Sequence, residues 1–405
     1  MAKPLLKAKN GPLVAVVASV AVAAVVIGSA IAYWQGPESK ASGATPLPGL
    51  SSTPSETPIV TPSRTPSITP STPPSTAGTP GTPGTPAKPP STGNPVEIPV
   101  ELTSLATGRS TDAIHLAGRE VRGGGPAIKI PGSQRIGDFA RLGADLLATV
   151  GTDGVNDELL IIGAGHPIRK VPNVDTLVAD RQGTAAAYST LVVNSDGIRT
   201  RGGAVHYLPA GGTTKTLPLP ADTFALRVVA LLDGKVYYRS TDEQAGDIER
   251  LYEWTPGTAT PRLVKAVTAT TMLSADGRYA ASRRNTTTGT CTTVQTVATG
   301  KDLWKACKTD LMDFTPGGGV TLGRGYVGDT PMVRITAQDT RTGKLIHAWT
   351  GFFANVAAED DEHLLISTEG VTGASLVRCE ITTGACEYAV APGDAALRLD
   401  PGMTP

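Results

Sequence analysis

Four cysteines, Cys291, Cys307, Cys379 and Cys386, are the most reactive side chains in the sequence, and they fall into two closely spaced pairs. Each pair straddles a short turn with a glycine, ATGK in the first pair and ITTG in the second. Residues directly opposite in an antiparallel hairpin bring their Cβ atoms to about 4.5 Å, close to disulfide range. A four-cysteine zinc site is the alternative, but the chain has no C-x-x-C spacing. We therefore predict two structural disulfides, Cys291–Cys307 and Cys379–Cys386.

Motifs of catalysis or cofactor binding are absent from the sequence. It contains no G-x-S-x-G elbow, no Walker A loop and no H-E-x-x-H. Residues 153–158 are acidic enough to suggest calcium, but they lack the ligand order of an EF-hand, and a solvated β-turn is the simpler interpretation. Residues 359–362 could contact a cation or a basic partner, although a solvated turn between strands also explains them. We predict no catalytic residue, no cofactor and no metal ligand.

The hairpins that carry the cysteines belong to a repeat that extends over residues 98–405. Short runs rich in Val, Leu, Ile and Thr alternate with Gly, Pro and Asp, which is typical of many short strands. Seven hairpin-like units have turn glycines 41–46 residues apart, at positions 123, 165, 211, 257, 300, 343 and 384. Four short strands in each unit is the spacing of propeller blades. We predict an all-β fold, a seven-bladed β-propeller, with six or eight blades as the alternatives.

The first unit lacks the apolar strand that precedes each of the other hairpins. The C-terminal segment DAALRLD, residues 394–400, resembles DTFALRV at 222–228. We predict that residues 395–399 form the inner strand of a blade whose outer strands are 99–107, 111–118 and 126–130. Such a closure would tie the chain ends together and leave no open edge in the ring.

The phrase SADGRYAAS at 274–282 and the turns ATGK, RTGK and TTGA resemble those of WD40-like and TolB-like β-propellers, as carried by bacterial-type membrane-anchored proteins. The resemblance covers residues 98–405. It implies the propeller fold, and the Gly-His and Trp-Asp signature of true WD40 repeats is absent.

A stretch without charge, residues 12–34, precedes the repeat. As a helix its 23 residues would span roughly 34 Å, enough for a hydrocarbon core of about 30 Å. Lys3, Lys7 and Lys9 lie before it, so residues 1–11 should stay in the cytoplasm and the rest should be exported. We predict a single-pass transmembrane anchor in the cell membrane. The alternative is a signal peptide cleaved after Ala32, which would release the domain as a secreted protein.

Residues 35–97 are rich in Pro, Thr and Ser. Such a segment cannot bury enough apolar surface to offset its ordering entropy, so we predict a disordered, extended stalk. The charge of the whole chain is balanced, with 36 Lys+Arg and 36 Asp+Glu, which argues against a nucleic-acid partner.

The membrane tether, the propeller and the missing catalytic set together favour a non-enzymatic module outside the cytoplasm. We predict that it binds an unidentified protein or glycan, or acts as a scaffold. One alternative is a hydrolase or lactonase that uses a metal at the propeller channel, and another is an envelope sensor or accessory domain. An enzyme is the less favoured interpretation.

Overall fold

The structure is a computed structural model of the full chain. It describes residues 96–399 with five gaps, at 152–156, 242–248, 287–288, 327–331 and 371–372. All of these residues belong to one compact unit.

The predicted tail, span and stalk lie outside the described residues, apart from positions 96 and 97 at the end of the stalk. In the part of the chain that the structure describes, no helix is long and apolar enough to cross a membrane.

Short strands follow one another through the described chain, with a 3-10 turn at Leu102–Ser104 after the first. The first fourteen are β1 (Val96–Pro99), β2 (His115–Ala117), β3 (Glu120–Arg122), β4 (Ile128–Lys129), β5 (Arg135–Leu142), β6 (Asp145–Gly151), β7 (Asp157–Ile162), β8 (Arg169–Ala179), β9 (Ala185–Val193), β10 (Arg199–Pro209), β11 (Lys215–Leu219), β12 (Phe224–Leu232), β13 (Lys235–Thr241) and β14 (Arg250–Trp254). The others are β15 (Arg262–Thr268), β16 (Thr270–Leu273), β17 (Tyr279–Thr286), β18 (Gly289–Thr296), β19 (Asp302–Ala306), β20 (Thr309–Phe314), β21 (Val320–Tyr326), β22 (Val333–Asp339), β23 (Leu345–Gly351), β24 (Phe353–Ala358), β25 (His363–Gly370), β26 (Gly373–Glu380), β27 (Cys386–Gly393) and β28 (Leu397–Leu399).

The seven turn glycines of the sequence repeat occupy equivalent places. Each lies between the third and fourth strands of its unit, and each has a positive φ, between 66° and 101°. Only glycine adopts that backbone conformation without strain, so the period in the sequence marks the outer hairpin of each unit.

The all-β propeller fold is confirmed, but the number of separate sheets differs from the seven predicted. The described strands form six hydrogen-bonded sheets. Five have the four or five strands of a propeller blade, and the sixth joins β5 to β11 in one seven-stranded sheet. The cause is the 11-residue strand β8, which pairs with β7 through its first half and with β9 through its second. The prediction of seven separate blades is therefore wrong as a count of sheets.

Neighbouring innermost strands contact one another from sheet to sheet. Strand β8 contacts β5 and β12, β12 contacts β16, and β24 contacts both β20 and β28. The C-terminal strand β28 pairs with β2, in the sheet β28-β2-β3-β4. The predicted closure by residues 395–399 is thus confirmed, and it places the last described residues beside the first blade.

The prediction that residues 99–107 belong to that same blade is wrong. Instead β1 pairs in parallel with β23 and forms the fifth strand of another sheet. The chain then runs along β27, where the main chain of Tyr388 bonds to Ala106 and Gly108, at 2.9 Å in both cases. The N-terminal segment therefore covers the edge of one sheet and crosses the next before its own blade begins.

Polar side chains of the inner strands bond to the main chain of the next inner strand. Asp138 on β5 accepts the N–H of Leu177 on β8 at 3.4 Å, and Thr176 on β8 accepts the N–H of Val228 on β12 at 2.9 Å. Arg398 on β28 donates to carbonyl oxygens at the start of β5. These bonds satisfy main-chain groups that a strand facing the channel leaves unpaired.

The most deeply buried of these side chains is Asp313 on β20. Its carboxyl group accepts the N–H of Phe314 at 2.6 Å and the N–H of Ala358, on β24 of the next sheet, at 2.8 Å. Burial raises the pKa of Asp313 to about 7, although the two N–H donors act in the opposite direction. Asp313 is thus both a tie between two sheets and a buried acid that titrates near neutral pH.

The hydrophobic core lies between the faces of neighbouring sheets. Trp349 on β23, for example, is fully buried among apolar residues of β24 to β27, such as Leu364 and Val377. Its indole N–H donates to the carbonyl of Gly384 at 3.0 Å, in the outer turn of the next unit. Core packing and outer turns therefore hold the same pairs of sheets together.

Candidate functional site

The cysteines form the two predicted disulfides, Cys291–Cys307 and Cys379–Cys386, with Cα–Cα distances of 4.0 and 4.1 Å. Cys379 and Cys386 are direct cross-strand partners on β26 and β27. Each disulfide therefore staples the outer hairpin of one unit, as the spacing around the turns predicted, and no free cysteine remains.

The acidic run at 359–362 lies in and around the turn between β24 and β25. Glu359 pairs with Arg378, whose side chain is only 3% exposed, and Thr111 donates to Glu359 at 2.6 Å. Arg378 also pairs with Glu387 at 2.9 Å and donates to the carbonyl of Arg109 at 2.7 Å. This run is consequently part of the contact that holds the N-terminal segment.

The other acidic run, residues 153–158, falls largely in a gap of the described chain. Glu158 forms an ion pair with Lys170 across β7 and β8 at 2.7 Å. Among the described residues, no group of three or more His, Cys, Asp or Glu side chains could hold a metal ion.

A polar cavity at the entry to the inner strands is the site that the sequence did not single out. It has a volume of about 510 Å³ and lies between the seven-stranded sheet and the sheet β12–β15. Its lining residues are Asp175, Leu191, Arg199, Thr200, Gly202, Thr223, Phe224, Ala225, Leu226, Arg227, Arg239 and Glu249. This arginine cavity, as we call it, combines charged groups with an apolar wall.

Two of its arginines face each other across the β12–β13 pair, in which Arg227 is the direct partner of Arg239. Like charges directly opposite on neighbouring strands repel, so this pairing is unfavourable without an anion nearby. Burial lowers the pKa of Arg239, and the positive charge of Arg227 adds to that shift, while Glu249 opposes it. The two guanidinium groups therefore form a preorganised centre of positive charge.

Two carboxylates balance part of that charge. Asp175 pairs with Arg199 at 2.6 Å and lies 3.6 Å from the guanidinium of Arg227, while Glu249 pairs with Arg239 at 2.5 Å. Three arginines against two acids leave the lining with a net charge of one positive. Arg227 is the exposed member, with 54% of its side chain accessible.

The backbone shapes this cavity through irregular strand pairing. The register of β12 shifts between Phe224 and Arg227, and Ala225 within that shift has φ 51°. The register of β10 shifts between Arg199 and Gly203. Bulges of this kind turn side chains away from the regular alternation of a strand. They direct polar residues of these two strands into one space.

Chemically, the arginine cavity is suited to an anion. A guanidinium group binds a carboxylate through two parallel N–H···O bonds, and such charge-assisted bonds are roughly twice as strong as neutral ones. The apolar wall of Leu191, Phe224 and Leu226 would contact a hydrocarbon portion of the same ligand. A small organic acid or a peptide carboxylate fits both features.

No protein-family model and no curated protein sequence matches the chain. Solved structures with a similar backbone do exist. A prolyl endopeptidase is 12% identical at a TM-score of 0.48, with 70% of this chain and 47% of that chain covered. The β-propeller domain of the Trilobed protease from Pyrococcus furiosus is 7% identical at a TM-score of 0.44, with 64% and 85% covered. TolB from Acinetobacter baumannii is 12% identical at a TM-score of 0.38, with 59% and 65% covered.

These similarities correct the function that the sequence suggested. We predicted a non-enzymatic protein- or glycan-binding or scaffold module, with a metal-dependent hydrolase or lactonase and an envelope sensor as alternatives. That prediction is contradicted by the comparison, whose matches include prolyl endopeptidases, an acylaminoacyl peptidase and the β-propeller domain of a protease. The chain spans less than half of the prolyl endopeptidase that it resembles. The TolB-like and WD40-like resemblance is confirmed: the domain is a β-propeller.

Proposed function

We propose that the domain is a peptidase-related propeller that recognises the free carboxylate of a short peptide in the arginine cavity. The observation that carries the proposal is the direct opposition of Arg227 and Arg239 beside a cavity of about 510 Å³. An incoming carboxylate would relieve the repulsion between the two guanidinium groups and accept their N–H donors.

The exposed side chain of Arg227 is the group that a ligand would reach first. Its contact with Asp175 is 3.6 Å long, beyond a normal hydrogen bond, so its N–H donors can turn towards a ligand without breaking a short bond to that residue. Arg239 is only 16% exposed and is held by Glu249, which fixes its position behind Arg227. One exposed guanidinium, from Arg227, and one half-buried guanidinium, from Arg239, would together clamp a single carboxylate.

The test is calorimetric titration of the full chain with acetyl-Gly-Ala-Leu as the free acid and as the C-terminal amide. A charged hydrogen-bonded pair contributes about 1.5–3 kcal/mol, so the acid should bind at least about tenfold more tightly than the amide. Arg227→Gln should abolish that difference. Arg283→Gln is the matched control. The Arg283 side chain is similarly exposed, at 56%, but it does not line the cavity and instead lies 3.9 Å from Asp310.

Equal affinity for acid and amide would contradict the proposal. So would an acid preference that Arg227→Gln leaves intact, because the carboxylate would then be bound elsewhere.

We also propose that the seven-stranded sheet is two adjoining blades, which would bring the blade number to seven. The support is the change of partner within β8 and the hydrogen bond that the N–H of Leu177 donates to Asp138, which has the same form as the bonds between separate sheets. Hydrogen exchange should find separate protection classes for β5–β7 and β9–β11 if the halves open independently. A single cooperative class over all seven strands would argue for one sheet.

The location of the domain is likewise a proposal: residues 12–34 anchor the chain in the membrane, and residues 35–97 hold the propeller outside the cytoplasm. It is supported by the uncharged run with Lys3, Lys7 and Lys9 before it, and by two disulfides, which persist in oxidising compartments. Intact-mass measurement of the native protein distinguishes an uncleaved anchor from cleavage after Ala32. A chain that begins at Tyr33 would replace the anchored form by a secreted one.

A further inference from the structure

A second cavity lies between the two halves of the seven-stranded sheet, and we call it the seam cavity. It has a volume of about 470 Å³ and opens between the turn that joins β7 to β8 and the turn that joins β10 to β11. The side chains of Leu142, Ile161 and Leu208 form its floor, and none of them is more than 5% exposed. The floor is therefore continuous with the hydrophobic core between β5–β8 and β9–β10.

Three titratable side chains line the opening of the seam cavity: Asp145, His166 and Arg169. Lys170, the residue after Arg169, pairs with Glu158 at 2.7 Å. Within the described ranges of the chain, no side-chain hydrogen bond or ion pair is formed by the three residues at the opening. Their polar groups are consequently available to a ligand that enters the cavity.

The sheet places the acid and the guanidinium group on one face, on either side of β7. Arg169 is the direct cross-strand partner of Ile161, so the two side chains point to the same face. A Cβ added at Gly163, two residues after Ile161, would lie 2.7 Å from Oδ1 of Asp145 and 3.7 Å from Cδ2 of His166. Two strand spacings across and two residues along separate the Cα atoms of Asp145 and Arg169 by roughly 12 Å. The two charges thus lie on opposite sides of the apolar floor.

This arrangement is complementary to a molecule that carries both charges. A ligand with only an ammonium group would be attracted by Asp145 and repelled by Arg169, and a ligand with only a carboxylate would meet the reverse. A zwitterion satisfies both groups. The floor favours an aliphatic side chain on that zwitterion, because such a side chain leaves water when it contacts Leu142, Ile161 and Leu208.

We propose that the seam cavity binds a small zwitterion with an aliphatic side chain, either a free amino acid or a dipeptide. Its ammonium group lies at Asp145, its carboxylate at Arg169 and its side chain on the apolar floor. The inference goes beyond the proposed function, since the seam cavity and the arginine cavity share no lining residue. A volume of about 470 Å³ is within the range of small-molecule sites and accommodates either ligand.

The experiment is calorimetric titration of the full chain carrying Arg227→Gln, so that a carboxylate bound in the arginine cavity does not contribute. The probes are leucyl-leucine, acetyl-leucyl-leucine, which lacks the ammonium group, and leucyl-leucine amide, which lacks the carboxylate. The zwitterion should bind about fivefold more tightly than either capped form. Glycyl-glycine, which has both charges but no side chain, should bind about tenfold more weakly than leucyl-leucine.

Variants assign each preference to one side chain. Asp145→Asn should abolish the preference over the acetylated form, and Arg169→Gln the preference over the amide. Lys170→Gln is the matched control for Arg169. It lies on the same strand with its side chain 61% exposed, but it points to the opposite face, and it should leave both preferences intact.

The outcomes separate this inference from the proposed function. Equal affinity for leucyl-leucine and its two capped forms overturns the zwitterion site, and so does a preference that Asp145→Asn and Arg169→Gln both leave unchanged. Equal affinity for leucyl-leucine and glycyl-glycine overturns the role of the apolar floor. Tighter binding of leucine than of leucyl-leucine assigns the site to a free amino acid, and the reverse assigns it to a dipeptide. None of these results bears on the arginine cavity, which is tested by the acid and amide peptides on the chain that retains Arg227.

Discussion

Replacing Asp313 by asparagine should change how the stability of the propeller depends on pH. The carboxyl group is fully buried and has a pKa of about 7 in the folded protein, against an ordinary value of 3.8 in the unfolded chain. Between these two values the folded state holds a proton that the unfolded state has released. Stability contributed by the protonated acid is therefore complete below about pH 4 and is lost as the pH rises through 7.

The magnitude follows from the pKa difference. Each pH unit inside the window changes the free energy of unfolding by about 1.4 kcal/mol, so between pH 5 and pH 8 the protein should lose about 3 kcal/mol through this one group. Asparagine has the same shape but does not titrate. Its single carbonyl oxygen can accept only one of the two N–H groups, from Phe314 or Ala358, and the other loses its acceptor at a cost of about 1–3 kcal/mol.

The assay is urea denaturation of the parent protein and of Asp313→Asn at pH 5, 6, 7 and 8. We expect the substitution to cost about 3 kcal/mol more at pH 5 than at pH 8. His206, whose pKa is lowered by burial to about 4, also changes stability below pH 6.5, but it is present in both proteins and cancels in the difference. Asp310→Asn is the control: Asp310 is on the same strand, with 59% of its side chain exposed, and its variant should follow the parent curve.

Parallel curves for the parent protein and Asp313→Asn would refute this reasoning. They would show that the two N–H donors keep the carboxylate ionised throughout the range despite its burial.

Three further perturbations test how the ring is held together. Deleting residues 397–405 removes two buried leucines and the inner strand of the first blade, and should lower the free energy of unfolding in urea by at least about 4 kcal/mol; an unchanged transition would reject the closure. Arg378→Met removes the guanidinium that pairs with the carboxylate of Glu359 and should lower the free energy of unfolding by about 3–5 kcal/mol. Adding Glu359→Gln to the same chain should restore most of that loss, as measured by thermal melting. No restoration would mean that the unpaired carboxylate is not the cause of the loss. Replacing Cys291 and Cys307 by serine opens a loop of 16 residues and should cost about 3 kcal/mol, with a loss close to zero arguing against the bond in the native protein.

The disulfides and the turn glycines could be predicted because both depend on local geometry. Once a hairpin has its turn at a glycine with positive φ, the strands on either side must pair outwards from it, and Cys379 meets Cys386 without reference to the rest of the fold. The closing strand could also be predicted, since DAALRLD repeats the pattern of an inner strand. Residues 99–107 were misplaced because a segment near the start of a domain can add to any exposed sheet edge: Val96–Pro99 pair with β23, and Ala106 and Gly108 bond to Tyr388 of β27.

The repeat, the outer hairpins and their disulfides follow from the amino-acid sequence, because a period of glycines and the alternation of apolar residues are local properties of the chain. The arginine cavity and the burial of Asp313 depend instead on how distant strands pack together. Asp175 reaches Arg227 from a strand 52 residues earlier, and the bulge in β12 sets which side chains face the cavity. A register shift of one residue redirects every side chain after it, and it depends on packing between blades that no local pattern encodes.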